Sequence, residues 1–591
     1  MPSGTNRYAW QFIALRIAIA LVVIALSVRL YRLQIVEGSR YRVLADRNRL
    51  RQVEVAAPRG VIYDRNGEIL ARNIPSFSVA VVPADLPKTA TGEADLKAQA
   101  VVLDRLMDLL ARPVPAPTPS PTPSPSPTPT GTPGKPAPTP TPASLAAGAL
   151  AVIPQREPWV MDRKEIEQGI ANGLLGGAYR PIIVAKYIPQ ATAFLIAEDA
   201  PNLPGVDLNL IPIRDYLTGG LTSQFMGYMG GIPESALPEY EAKGYQQNDQ
   251  VGLTGLEKTM EDELHGKAGQ QTIEVDVNGR KVRTIGQAGD PEPGHNLVLT
   301  IDLKLQRVAT QALQEALTKS SGFFKATQGA VVVLNPRNGA VLAMVSLPSF
   351  DNNWFAKGIT PEAWDALNKD VDLPMLNKAI VGQYPPGSTF KLIPASAGLQ
   401  EGVITSRTLL GDGFDGSNDG IIYLDNKYGG PATPFYCWIH NYGRGHGLIT
   451  VRQAIAESCD VFFYQLGGGY KDITPGIGVT KLGYYATQFG LGAATGIDLE
   501  GEADGLVPNE KYKRLNYAEP WLQGDTYNMS IGQGFVLATP LQIANMTAAV
   551  ANRGTLYKPD LVDHIIDADG KLVRPFQPTV IRKVPVDPAN L

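Results

Sequence analysis

In the stretch Tyr384-Pro-Pro-Gly-Ser-Thr-Phe-Lys391 a serine and a lysine stand three residues apart, directly after a rigid turn. An apolar helical pattern then runs to Leu399, with Pro394 inside it, so the spacing predicts Ser388 at a helix N-terminus and Lys391 about one turn on along the same face. Unpaired backbone N–H groups and the positive end of the helix dipole favour a developing oxyanion at such a place. A neutral lysine held close can take the proton of a hydroxyl that is otherwise a weak nucleophile. The chemistry would be acyl transfer through a serine ester. Ser-x-x-Lys by itself is a weak signal, since chance supplies on the order of one copy in a chain of this length, and a helix cap beside a surface lysine explains it equally well.

Glu457-Ser-Cys-Asp460 offers a second polar group just before the apolar run Val461-Phe-Phe-Tyr464. If that segment is extended, Ser458 and Asp460 project to the same side and could relay a proton or bind a substrate amide. A polar turn is the plainer explanation. Nearby, Cys437, His440, His446 and Cys459 include both cysteines of the chain and two of its five histidines. Two sulfurs and two imidazoles suit a structural tetrahedral zinc, with Asp425 as a substitute ligand; a Cys437–Cys459 disulfide and unrelated buried residues are the alternatives.

The elements that must position these residues are readable in outline. The chain has 591 residues, 44% apolar and 19% charged, enough for two or three folded units. With a net charge of −4 and no long basic block, nothing points to nucleic acid or to an electrostatic membrane surface as a partner. The apolar stretch Trp10 to Leu30 approaches the ~20 residues of a membrane span, and its uncharged core lies between Arg16 and Arg29. Without a clear small-x-small cleavage site it reads as an uncleaved anchor rather than a signal peptide. More basic residues follow the span than precede it, which opposes an external C-terminal body; a large domain can translocate regardless of flanking charge.

Val53 to Ala80 alternates like strands broken by Pro58-Arg-Gly60 and by the turn Asp64-Arg-Asn-Gly67. Residues 113–142 are almost wholly Pro, Thr, Ser, Ala and Gly, a composition that builds no core and reads as a disordered or semi-stiff surface insertion. Leu297 to Ile301 predicts a short strand, Asp302 a helix cap, and Leu305, Val308, Ala309, Ala312, Leu313, Ala316 and Leu317 the buried face of the helix that follows. Segments Gly329–Asn335 and Gly339–Ser346 around the turn Pro336-Arg-Asn-Gly339 predict an antiparallel hairpin, and Leu541 to Val550 a further helix. Helices on an antiparallel sheet make the fold class α+β.

In the order of its motifs the sequence resembles the class B penicillin-binding proteins. The resemblance runs through Asn48-Arg49, Pro58-Arg-Gly60, Asp64-Arg-Asn-Gly67, Gly255-Leu-Glu257, Leu299-Thr-Ile-Asp302, Asn377, Tyr384 to Lys391, Ser458 to Asp460, Gly532-Gln-Gly534 and Thr539-Pro-Leu-Gln542. Asp460 in Ser-Cys-Asp-Val-Phe-Phe-Tyr, with Cys437-Trp438 and Gly445-His-Gly447, is similar to the elongation branch, penicillin-binding protein 2.

The resemblance implies a cytoplasmic tail (1–11), one transmembrane helix (12–35), an extracytoplasmic pedestal of dimerisation type (36–290) and a serine transpeptidase domain (291–591), in a bacterial plasma membrane. It implies Ser388, Lys391, Ser458 and Asp460 as catalytic residues, peptidoglycan stem peptides and β-lactams as ligands, no cofactor for the acyl transfer, and a SEDS-type glycosyltransferase partner met through the span and pedestal. The competing reading is a pedestal module that activates that partner without catalysis. One departure stands out: the family's third motif, Lys-Thr/Ser-Gly, occurs nowhere in the chain. The expectation is a C-terminally truncated transpeptidase with an incomplete sheet and poor or absent turnover.

Overall fold

The computed structural model describes residues 6–37, 50–55, 57–89, 93–112, 159–176, 181–245, 249–275, 281–320, 325–356, 358–414, 416–426 and 429–591. Asn48-Arg49 and the proline-rich tract 113–142 lie outside them. The chain begins with the helix Asn6–Tyr31, continued by a π-helical turn Arg32–Val36. Ile13–Val36 has a mean hydropathy of 2.4, is long and apolar enough to cross a membrane, and is not buried against any of the described residues.

An eight-stranded sheet forms the base of the molecule. Its order is Leu572–Arg574, Val562–Ile566, Asn296–Leu299, Ile62–Tyr63, Ile69–Val81, Ile182–Ile188, Trp159–Val160, with Val206–Tyr216 also paired to Ile69–Val81. The strands break at Pro58-Arg-Gly60 and Asp64-Arg-Asn-Gly67, as the sequence predicts, and the last of them, Ile69–Val81, runs for 13 residues. Its last residues alternate into a core shared with the helices Leu96–Ala111 and Arg163–Gly176. Asn296–Leu299 runs parallel to Ile62–Tyr63 on one side and antiparallel to Val562–Ile566 on the other, so segments far apart in sequence complete one sheet.

Two of the early motifs are structural joints. The Asp64 side chain is fully buried and accepts hydrogen bonds from the backbone N–H groups of Asn66 and Glu68 inside its own turn and from that of Leu303, at the start of the helix Leu303–Lys319. In Pro58-Arg-Gly60, a side chain at Gly60 would lie 1.8 Å from the His295 carbonyl oxygen, so only glycine lets these segments meet. Arg59 donates to Glu257 at 2.8 Å and to Glu261 at 2.7 Å, and Arg214 donates to Glu257 at 2.7 Å. All four groups are buried, so each charge depends on its partner for the hydrogen bonds it lost to burial.

The C-terminal half holds the antiparallel hairpin Gly329–Leu334 with Val341–Leu347, as its turn residues predict. The helix Leu303–Lys319 lies on it, capped by Asp302, which accepts from the N–H groups of Lys304 and Leu305. Its buried face is narrower than the apolar pattern suggests. Ala309 is buried and Leu305, Leu313 and Leu317 are half-buried, but Val308 is 64% exposed and Ala312 and Ala316 also face outward. The hairpin covers one stripe of the helix, and those three sit beside it. A second core gathers the helices Leu392–Gln400, Asp460–Gly468 and Gln523–Ser530, with Phe390, Phe462, Phe463 and Tyr527 fully buried at its centre. It is this core that carries the predicted chemical residues.

Replacing Glu257 by glutamine removes the charge that both buried guanidinium groups share. The expected loss is about 3–5 kcal/mol. Lys267→Ala, which breaks an exposed pair with Glu292, should change stability by less than about 1 kcal/mol. Thermal unfolding of the two variants side by side checks this, and equal midpoints would refute it.

Candidate active site

Gly387–Lys391 forms a 3-10 turn that leads into the helix Leu392–Gln400, which places Ser388 in the first turn as its spacing predicts. Three contacts hold the turn. Tyr384 exchanges backbone hydrogen bonds with Ala538 at 2.9 and 3.0 Å, Gly387 N–H donates to the Gly532 carbonyl at 2.8 Å, and Phe390 is sunk in the core. Gly532, at φ +71°, explains its motif: a side chain there would lie 2.2 Å from the Gly387 carbonyl oxygen. Ser388 is exposed, while Lys391 is 2% exposed beneath it.

The Lys391 ammonium donates to Asp460 Oδ1 at 2.6 Å, to the Ser458 carbonyl at 2.8 Å and to Ser458 Oγ at 3.1 Å. It also lies 5.6 Å from the centre of the Phe463 ring. Ser458 Oγ is 2.8 Å from Ser388 Oγ. Among the described residues no direct hydrogen bond joins Lys391 to Ser388. The sequence reading put the lysine beside the nucleophile; in the structure the Asp460 carboxylate draws it toward the second motif, and Ser458 bridges the gap.

The second motif is not extended. Ser458 sits at φ +53° in the turn between the helices Val451–Ala456 and Asp460–Gly468, with Cys459 as the cap of the latter. Ser458 and Asp460 still converge on Lys391, because a left-handed turn followed by a helical first residue brings the two side chains to one side. A non-glycine residue in that region costs of order 1–2 kcal/mol, which the surrounding contacts must offset.

Asp460 is held from behind as well. Its Oδ2 accepts from the Trp438 backbone N–H at 3.0 Å, and its own N–H donates to Cys437 Sγ at 3.2 Å. The exposed Trp438 indole N–H reaches the Glu457 carbonyl at 3.1 Å. This coupling of the segment at Cys437 to the second motif was not visible in the spacing of either.

Three of the four proposed metal ligands meet. Cys437 Sγ, Cys459 Sγ and His446 lie within 4.8 Å of one another, with Cys437 Sγ 4.0 Å from Cys459 Sγ and 3.5 Å from His446 Nδ1. The edges of a tetrahedral zinc site built on standard bond lengths are about 3.8 Å for S···S and about 3.6 Å for S···N, so the spacing fits a metal. It does not fit a disulfide, whose sulfurs stand about 2.05 Å apart; both cysteines are free. The hydrogen bond shared with Cys459, helped by the backbone N–H groups of Ile439 and Asp460, holds the Cys437 thiol below its ordinary range, and the same contact with burial pushes Cys459 up. His440 does not join them: its Nδ1 bonds to the Asp419 carbonyl at 2.7 Å and its ring leans on Tyr436. Asp425 is exposed and outside the group too. The ligand expectation is thus corrected from four residues to three, because the tight turn after Cys437 aims His440 away.

Comparison with known proteins gives a consistent picture. Residues 54–299 match the family model "Penicillin-binding Protein dimerisation domain" and residues 329–591 match "Penicillin binding protein transpeptidase domain". The chain is 30% identical to the peptidoglycan D,D-transpeptidase MrdA of Salmonella typhimurium over 97% of its own length and 78% of that protein's. The identity to MrdA of Escherichia coli K12 is also 30%, covering 95% and 75% of the two chains. Among solved structures, a chain of a peptidoglycan synthase complex that coordinates polymerisation and cross-linking is 31% identical, with a TM-score of 0.61 over 99% of this chain and 82% of that one. Penicillin-binding protein 2 of Helicobacter pylori, in complex with MreC, is 25% identical with a TM-score of 0.62, covering 89% and 80%.

The strain at position 458 can be isolated by two replacements that both remove the hydroxyl. Ser458→Gly should melt higher than Ser458→Ala by the equivalent of about 1 kcal/mol, since only glycine adopts the positive φ freely. Indistinguishable melting curves would show that the turn relaxes without it.

Proposed function

The chain belongs to the class B penicillin-binding proteins of the penicillin-binding protein 2 branch, the peptidoglycan D,D-transpeptidases, and from that premise we propose that Ser388, Lys391, Ser458 and Asp460 carry its acyl transfer. The observation that supports the assignment most directly is the continuous path from Ser388 Oγ through Ser458 Oγ to Lys391 Nζ, with steps of 2.8 and 3.1 Å.

The Ser388 oxygen attacks the carbonyl carbon of the D-alanyl-D-alanine bond in a donor stem peptide. Its proton passes to Ser458 Oγ as the Ser458 proton passes to the lysine in its amine form. The unpaired N–H groups of the first helical turn face the oxyanion. When the C–N bond breaks, the proton returns by the same path to the departing D-alanine amine. An amine of a neighbouring strand then attacks the acyl-enzyme, forms the cross-link and restores the Ser388 hydroxyl. Asp460, fixed by Trp438 and by the hydrogen bond to Cys437, keeps Lys391 aimed at the relay. β-Lactams enter at the same serine.

These 591 residues contain no Lys-Thr/Ser-Gly tripeptide, the motif to which the resemblance assigns the substrate carboxylate. Transpeptidation by this chain is therefore expected to be poor or absent. Functionally the division falls near Asp290, with the pedestal before it and the catalytic body after it. The helix Asn6–Tyr31 anchors the chain in the plasma membrane with the rest outside, and this helix and the pedestal meet a SEDS-type glycosyltransferase. The expectation is supported by the similar chain of a peptidoglycan synthase complex. Acylation by the enzyme needs no cofactor.

Cys437, Cys459 and His446 are proposed to hold a structural zinc. Bound there, the ion would clamp the segment that carries the Trp438 N–H to the helix that begins at Asp460.

Labelled penicillin tests the catalytic assignment. The adduct is expected on Ser388, absent from Ser388→Ala, and formed about 10²–10⁴ times more slowly in Ser458→Ala. A wild-type chain that stays unlabelled after prolonged incubation, or is labelled elsewhere, overturns it. For the metal, protein purified without chelators should carry about one zinc per chain, lost in Cys437→Ser together with part of the rate of Ser388 labelling. Wild-type protein free of stoichiometric zinc removes that part of the reading.

A further inference from the structure

On the catalytic half, an open groove of about 590 Å³ runs between the helix Val479–Gln488 and the segment that passes through Leu506 to Lys511. Its size falls in the range of small-molecule clefts, about 300–1,000 Å³. One wall is a stripe of hydroxyls at helical spacing, Thr480, Tyr484 and Thr487, all exposed, with the Tyr484 ring 51% accessible. The other wall offers Asn509, Glu510 and Lys511, an amide and two opposite charges that cancel.

We propose that this groove binds the glycan strand of peptidoglycan and so holds the polymer while its stem peptides react at Ser388; the inference rests on the transpeptidase reading above. Hydroxyls and an amide with no net charge, set among the apolar Val479, Leu506, Val507 and Pro508 and beside one aromatic ring, suit a neutral sugar, which presents both hydroxyls and apolar ring faces. Sugar hydroxyls both donate and accept, and the apolar face of a pyranose covers an aromatic face. Thr487 donates its own proton to the Gly483 carbonyl at 3.0 Å, which leaves its oxygen as an acceptor toward the groove. Asn509 uses its side-chain oxygen to cap the helix Glu510–Tyr517, which turns its NH₂ group to the donor role.

The groove is also wired to the nucleophile. Leu506, on its lip, exchanges backbone hydrogen bonds with Leu537 at 2.7 and 3.0 Å, and the next residue, Ala538, exchanges them with Tyr384 at 2.9 and 3.0 Å. Tyr384 opens the turn that presents Ser388. From the other wall, Lys481 and the Tyr485 hydroxyl both bond to Glu401, at the C-terminal end of the Leu392–Gln400 helix. A strand seated in the groove is thereby held against both ends of the element that carries the serine.

The test uses the full chain and glycan strands of alternating N-acetylglucosamine and N-acetylmuramic acid, freed of peptide and with their lactyl carboxyl groups amidated so that the strand is uncharged. The wild-type protein should bind them. Tyr484→Ala should weaken binding about tenfold, whereas Tyr484→Phe, which keeps the ring, should stay within about twofold of wild type. Melting temperatures of both variants guard against misfolding. Wild-type protein that does not bind the strands, or binding that survives Tyr484→Ala in a folded protein, overturns the groove. Penicillin labelling of Ser388 on the wild-type chain reports separately on the underlying reading, because it needs no glycan.

Discussion

One carboxylate organises the candidate active site. Asp460 takes the Lys391 ammonium on one oxygen and the Trp438 backbone N–H on the other, while its own N–H is spent on the Cys437 sulfur. Three separate stretches of chain are tied through a single residue at the start of a helix. Charge-assisted hydrogen bonds in a buried setting are strong and unforgiving of a missing partner. Lys391 is thereby held toward the second motif rather than against Ser388, and Ser458 Oγ lies between the two. The strained φ of Ser458 follows from that arrangement, since only a left-handed turn there lets residues 458 and 460 serve the same ammonium.

The pedestal joint works by a comparable logic at a larger scale. Arg59 and Arg214 share Glu257, and Glu261 accepts from Nη2 of Arg59. Buried ion pairs add little net stability, but they penalise every arrangement in which a partner is absent. They define where the strand Val206–Tyr216, the segment at Pro58-Arg-Gly60 and the helix Gly255–Thr259 must meet. Asp64 repeats the device with backbone groups, capping its own turn and the first turn of Leu303–Lys319 together.

Much of this was legible in the chain because it is local. The Ser388 turn follows from two prolines and a glycine, the cap at Asp302 from residue type, and the hairpin from Pro336-Arg-Asn-Gly339. What escaped were relations between distant segments. Extended geometry was expected at Ser458 because an apolar run follows it, yet Cys459 proved to be a helix cap, and nothing in the local pattern signals φ +53° at a serine. His440 has the right chemistry for a ligand and is turned away by the 3-10 turn Trp438–Tyr442. Val308 has the right period for the core and faces outward because the hairpin is narrower than the apolar stripe. The Arg59–Glu257 contact joins two recognisable motifs, but recognising both did not show that they touch. Residue type speaks to what a side chain can do, and only the packing of remote elements decides whom it meets.

The strand Val562–Ile566 lies beside Asn296–Leu299, which in turn lies beside Ile62–Tyr63. In a chain made from its N-terminus, Ile62–Tyr63 finds its partner once Asn296–Leu299 has been made, but the other edge of Asn296–Leu299 stays open until nearly all of the catalytic body has been produced. Closing so long a loop is entropically costly and slow, and the rewards of pairing arrive only afterward. One edge of the foundation is thus among the last parts to set, and a ribosome that stalls late leaves behind a protein whose base has an unzipped seam.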